Sequence, residues 1–187
     1  MASTRSLCEA SPAVRSMLDA WLTARNGALV PLKKDFDPFS VPRWLPGVWI
    51  ARFDPARDDF LFTLSGERVN LAWRGSLKHK ALRELIGAAA YPEMRRRWRA
   101  VVETPQIQYA VLESETERPD ASSSDPLPPH LDGERLMLPL ASEPDRVDQI
   151  LGFSQYRITQ TDPDLAPRLW SRRVVIPCRD LETDAQG

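Results

Sequence analysis

The order of the apolar segments constrains the fold more than any other feature of the sequence. Two β-rich runs, 48–53 and 60–64, flank a polar turn at 54–58, which is typical of a β-hairpin. Three short segments with helical periodicity follow: 67–73, 80–90 and 92–103. Three further segments have strand character: 107–115, 133–141 and 148–158. Because the strands within each group are joined by hairpin connections, we predict an α+β fold, a five-stranded antiparallel sheet with a block of short helices on one face.

A flanking helix is predicted in front of this unit. Ser11 and Pro12 are a favourable helix start, and Gly27 ends the helical pattern. Apolar side chains recur between them at helical spacing: Val14, Met17, Leu18, Trp21 and Leu22. We predict an amphipathic helix over 12–26. Its apolar face either packs on its own domain or forms a homodimer.

The chain divides into three parts by pattern. Residues 1–27 form a tail and the flanking helix, 28–158 form the domain, and 159–187 form a C-terminal extension. Within the extension, 172–177 is a candidate strand that packs back. The segment 118–130 contains four prolines and three consecutive serines, and we predict a flexible loop there.

Composition excludes several classes of protein. The net charge is -1, so no overall field attracts the chain to nucleic acid or to a membrane surface. No apolar run reaches the length of a membrane span, and the N-terminus has no apolar signal segment. Cys8 and Cys178 lie near opposite ends and make no disulfide framework, which favours a reducing cytoplasm.

Three segments carry a resemblance to a known family: "WLTARNGALVPLKKDFDPFSVPRWLPGVWIARFD", "FLFTLSGERV" and "ERLMLPLASEPDRVDQILGF". The element order is that of a PAS domain, and these segments resemble a bacterial family of small stand-alone PAS-type proteins over residues 16–158. The chain departs from the family pattern at "GSLKHKALREL", where one residue is missing and His79 stands at the position of a glycine.

The resemblance implies a sensory or protein-interaction module rather than an enzyme, with an output that passes through a protein partner. A small apolar ligand would lie between the sheet and the helix block. We predict eight side chains around that space: Trp49, Phe62, Leu71, Trp73, Leu85, Tyr109, Leu138 and Phe153. Two alternatives stay open, a ligand-free protein–protein adaptor with a filled core and an enzyme of unrecognised type.

Other residues that suggest chemistry have simpler interpretations. His79 lies where some PAS proteins place a haem ligand, but the lysines beside it indicate a wet surface. His130 lies in the proline-rich loop, and Glu113, Glu115 and Glu117 are read as a solvated strand end. Helical periodicity places Trp98 of "RRRWR" (95–99) inward and its arginines on a wet face, so we predict no nucleic-acid site. The sequence shows no metal cluster and identifies no cofactor.

Overall fold

A computed structural model describes residue 7 and residues 9–112, 131–158 and 170–181 of the 187-residue chain. Several predictions fall outside these residues: those for Cys8, the carboxylates Glu113, Glu115 and Glu117, the loop 118–130, and His130.

Within the residues described, the sheet has six strands, one more than predicted. They are β1 Val48–Asp54, β2 Asp59–Ser65, β3 Gln106–Leu112, β4 Leu131–Glu143, β5 Arg146–Ile158 and β6 Trp170–Pro177. Their order across the sheet is β2-β1-β5-β4-β3-β6, and every neighbouring pair is antiparallel. The α+β fold with an antiparallel sheet is therefore confirmed. The additional strand is the candidate segment 172–177, which pairs with the edge of β3.

The helices are α1 Pro12–Arg25, α2 Glu67–Ala72, α3 Leu82–Leu85 and α4 Tyr91–Glu103. At the start of α1 the Val14 amide donates to the Ser11 hydroxyl at 3.3 Å, so serine caps the helix as predicted. The helix ends at Asn26, which adopts a left-handed conformation with φ 43°. Three 3₁₀ turns connect α1 to β1: Lys33–Asp35, Pro38–Ser40 and Pro42–Gly47.

Both faces of the sheet are covered, and strand alternation separates two hydrophobic clusters. In β1, Val48 and Ile50 contribute to the cluster beneath α1, whereas Trp49 and Ala51 contribute to the cluster beneath α2, α3 and α4. We call these sides the α1 face and the helix-block face. The helix block thus lies on one face, as predicted, and α1 covers the opposite one.

The apolar side of α1 is buried against its own sheet. Met17 and Trp21 are fully buried, and the Trp21 indole N–H donates to the Pro139 carbonyl at 2.8 Å. The helix therefore packs on its own domain, which is the first of the two alternatives predicted for its apolar face. The homodimer through 12–26 stays a prediction, but the side chains that suggested it already have partners within the chain.

The C-terminal strand completes the same α1-face cluster. Ile176 and Cys178 are fully buried in it, and Leu181, beyond the end of β6, also belongs to it. The predicted domain limits after residues 27 and 158 remain a prediction. Side chains on both sides of those limits share one cluster.

Candidate functional site

An aromatic cluster fills the centre of the interface between the sheet and the helix block. We use this name for Trp49 of β1, Phe60 and Phe62 of β2, and Trp98 of α4. The rings of Trp49 and Trp98 stack with centroids 5.0 Å apart and planes 15° apart. Phe60 and Phe62 meet the Trp98 ring edge-on, at 5.4 and 5.6 Å. These separations are those of favourable aromatic pairs, so the rings pack against one another.

Trp49 is positioned by the strand beside it. A Cβ atom on Gly152 of β5 would lie 1.9 Å from the Trp49 ring, so only glycine leaves room for the indole there. The Trp49 indole N–H donates to the hydroxyl of buried Ser154 at 3.0 Å. Gly152 and Ser154 thus set both the depth and the direction of this ring.

Trp98 differs from Trp49 in one respect. Trp98 is only 3% exposed, and its buried indole nitrogen has no hydrogen-bond partner in the structure. A buried donor without a partner is unusual because desolvation costs about 1–3 kcal/mol. The Trp98 indole nitrogen is therefore a point in this interface where a ligand atom or a water molecule would gain a hydrogen bond.

The structure divides the eight predicted pocket residues among four environments. Trp49 and Phe62 belong to the aromatic cluster, and Trp73 and Leu85 pack half-buried against the helix-block core. Leu71 is 67% exposed, because the buried side of the short helix α2 is formed by Val69 and Ala72 instead. The other three pack on the α1 face: Tyr109, Leu138 and Phe153. The eight residues therefore do not surround a single space.

Two members of the aromatic cluster, Phe60 and Trp98, were not among the predicted pocket residues. The helical spacing does place Trp98 on the inward side of α4 together with Met94 and Val101, and the structure confirms this grouping. Phe60 lies two residues before Phe62 and shares its face. Helical spacing and strand alternation therefore predict that Trp98 and Phe60 are buried, but they do not predict which aromatic rings contact each other.

Tyr109 has its own polar environment on the α1 face. Its hydroxyl donates to the Glu134 carboxylate, which also accepts the Ser11 amide at 3.0 Å. Burial, supported by this hydrogen bond, raises the pKa of Tyr109 well above its usual range. These contacts fasten the start of α1 to the sheet.

The turn between β1 and β2 is held to the helix block by arginines. The fully buried carboxylate of Asp59 accepts the Arg83 guanidinium at 2.8 Å. Asp58 pairs with Arg95 and, at 3.0 Å, with Arg99. The hydrogen bond from Arg95 lowers the pKa of Asp58 below its ordinary 3.8. The turn and the helices that cover the aromatic cluster are thus joined by charge.

These contacts also account for the arginine-rich segment 95–99. Arg95 and Arg99 hold the turn, and Arg96 and Arg97 pair with Glu93 within α4. The four arginines of this segment are therefore paired with carboxylates of the same chain.

The residues that the structure describes contain neither a candidate metal site nor a helix suited to crossing a membrane. His79 is exposed, and its backbone amide donates to the Phe62 carbonyl at 2.7 Å, so it serves to cover the edge of β2. Within these ranges, no group of three His, Cys, Asp or Glu side chains is arranged to hold a metal ion. None of the helices described has the length and apolar character needed to cross a membrane.

Comparison with known protein families identifies a match over most of the chain. A family model described as PAS domain matches residues 9–155, which include α1 and strands β1 to β4 with nearly all of β5. No curated protein matches the chain. The matched region ends before β6, so the strand that completes the α1-face cluster lies outside it.

Proposed function

Because the chain belongs to the PAS domain family, a family of sensory and interaction modules, we propose that it is a protein-interaction module with a filled interior. We assign it no catalytic role. The observation that carries the proposal is the aromatic cluster, since four large rings occupy the space where a ligand would otherwise lie. A tightly packed interior transmits displacement between the elements around it without a bound molecule. The proposed output is binding to a protein partner, in the cytoplasm that the cysteine usage indicates.

The experiment that tests this proposal has two measurements on the full chain. Native mass spectrometry of the protein, purified without denaturation from its own cells, is expected to give the mass of the polypeptide alone. Cross-linking in the same cells, followed by reconstitution with purified components, is expected to yield a partner that binds with fixed stoichiometry. A reproducible small-molecule adduct and no reconstituted partner would contradict the proposal.

A second candidate function is small-ligand sensing, and the buried indole nitrogen of Trp98 is the observation that favours it. Such a ligand would be small and largely apolar, with one hydrogen-bond acceptor directed at that nitrogen. If the adduct exists, Trp98→Phe removes its only proposed polar contact and should release it. Trp21→Phe, on the opposite face, is the matched control and should retain the adduct.

A further inference from the structure

The end of α1 carries two neighbouring residues that can react with each other. Asn26 ends the helix, and Gly27 follows it in the chain. The side-chain amide of an asparagine contains an electrophilic carbon, and the backbone nitrogen of the next residue can attack that carbon to close a five-membered ring. Glycine in the second position hinders this attack least, because it has no Cβ and its backbone rotates freely.

The structure leaves both reacting groups accessible. Asn26 and Gly27 are exposed, and a Cβ atom placed on Gly27 would meet no atom within 4 Å. Within the ranges described, neither the side-chain amide of Asn26 nor the backbone N–H of Gly27 makes a hydrogen bond. Neither group is therefore held by another contact.

The backbone of this turn must open before the ring can close. Asn26 is left-handed, with φ 43° and ψ 49°, and ring closure needs rotation about its Cα–C bond. The rotation breaks the hydrogen bond from the Ala28 amide to the Arg25 carbonyl at 2.8 Å, and the one from Arg25 Nε to the Ala28 carbonyl. Helix ends open locally at little cost in free energy, so the attack takes place from a briefly opened turn. It should be slower than in the unfolded chain.

The second asparagine of the chain has the opposite environment. Asn70 lies inside α2, where its side-chain oxygen accepts the Leu77 amide at 3.2 Å and its side-chain nitrogen donates to the Ser65 carbonyl at 3.3 Å. The residue after it is Leu71, whose helical backbone and side chain both hinder attack. The fold therefore protects Asn70 and leaves Asn26 open.

We propose that Asn26 is a site of spontaneous deamidation. The Gly27 nitrogen gives up its proton and bonds to the side-chain carbon of Asn26, the bond from that carbon to the amide nitrogen breaks, and ammonia leaves with the proton. Water then adds to either carbonyl of the succinimide ring and opens it, which gives aspartate or isoaspartate. Both steps are redox-neutral, and water is the only co-reactant. The inference is independent of the proposed interaction function.

The products differ from asparagine in charge and, for isoaspartate, in backbone length. Either product places a carboxylate at the C-terminal end of α1, where the helix dipole disfavours negative charge. Asn26 also lines a groove beside α1 together with Asp35 and Asp37, so the reaction adds a third carboxylate to that surface. Isoaspartate further inserts a main-chain carbon into the left-handed turn. The modification should therefore loosen the last turn of α1.

Incubation of the folded, full-length protein in water enriched in heavy oxygen tests the site. After digestion with trypsin in ordinary water, Asn26 lies in the peptide 26–33 and Asn70 in the peptide 69–74. Mass spectrometry is expected to show heavy oxygen in 26–33 and none in 69–74. Chromatography should separate an isoaspartate and an aspartate form of 26–33. The yield should rise with pH, because the attacking Gly27 nitrogen must lose its proton.

A variant and an unfolded control locate the reaction. Asn26→Gly removes the reacting amide and keeps a residue suited to the left-handed turn, so its peptide should gain no heavy oxygen. The same incubation in urea should label Asn26 faster than in the folded protein, because the turn is then open. It should also allow Asn70 to react, since its hydrogen bonds to Ser65 and Leu77 are lost.

Three results would overturn the inference. The first is no heavy oxygen in 26–33 of the folded protein over a time in which the unfolded chain is labelled there. The second is equal labelling of 69–74 in the folded protein. The third is formation of aspartate without isoaspartate, since direct hydrolysis of the side chain by water gives aspartate alone and does not involve Gly27.

Discussion

Replacing each tryptophan of the aromatic cluster by phenylalanine should have unequal effects on stability. Trp49 and Trp98 are both 3% exposed and stack on each other, so Trp49→Phe and Trp98→Phe remove the same chemical group from the same core. They differ in hydrogen bonding. The Trp49 indole N–H is bonded to Ser154, whereas the Trp98 indole N–H has no partner in the structure.

The expected difference follows from the two indole nitrogens. Loss of ring volume destabilises both variants through the space left behind. Trp49→Phe additionally leaves the Ser154 hydroxyl buried without this donor, at a cost of about 1–3 kcal/mol. Trp98→Phe instead removes a buried donor whose desolvation was never compensated. We expect Trp49→Phe to be more destabilising by about 2 kcal/mol or more, on the central values of these terms.

Urea unfolding measured by far-UV circular dichroism provides the test. At an m-value of about 2 kcal/mol/M the two midpoints should differ by about 1 M. Trp21→Phe serves as a control on the opposite face, because its indole also donates a buried hydrogen bond, and it should resemble Trp49→Phe. Equal midpoints, or a lower midpoint for Trp98→Phe, would refute the reasoning and show that the Trp98 nitrogen has a partner in solution.

Four further predictions use other contacts of the fold. Truncation after residue 158 removes β6 and its buried Ile176, and should give an aggregating protein by size-exclusion chromatography, whereas truncation after 181 should leave it monodisperse. Arg83→Met leaves the buried Asp59 carboxylate without its charge partner and should lower the urea midpoint more than Arg96→Met; an equal effect would contradict the role of this pair. Burial raises the pKa of Cys178 from 9.0 to about 12, so in a Cys8→Ser background the native thiol should not react with Ellman's reagent at pH 8. Because folding raises this pKa, the contribution of the Cys178 thiol to the free energy of unfolding is complete below pH 9 and is lost as the pH rises towards 12. Cys178→Ala should therefore lose less stability than the wild type over this pH range.

The strands and helices were the part of the fold most accessible from the sequence. The predicted runs 48–53 and 60–64 correspond to β1 and β2, and the predicted helix 92–103 corresponds to α4. These elements have strong periodicity and clear turn residues at their ends. The segment 172–177 is less regular, and its membership of the sheet depends on pairing with β3, which lies more than sixty residues earlier in the chain.

The pocket residues could not be predicted to the same extent, because helices cover both faces of the sheet. In β5, Ile150 packs on the helix-block face while Leu151 and Phe153 pack on the α1 face. When both sides of a strand are buried, apolar side chains occur on both, and alternation no longer identifies which side faces the helices. Tyr109, Leu138 and Phe153 were therefore predicted beside the helix block, whereas the structure places them in the cluster on the α1 face.

The arrangement of covered surfaces also limits how a partner can approach. The helix block covers one face of the sheet, α1 covers much of the other, and the segment 79–81 bonds to the outer edge of β2. A partner that docks on such a domain meets helices and turns more readily than sheet.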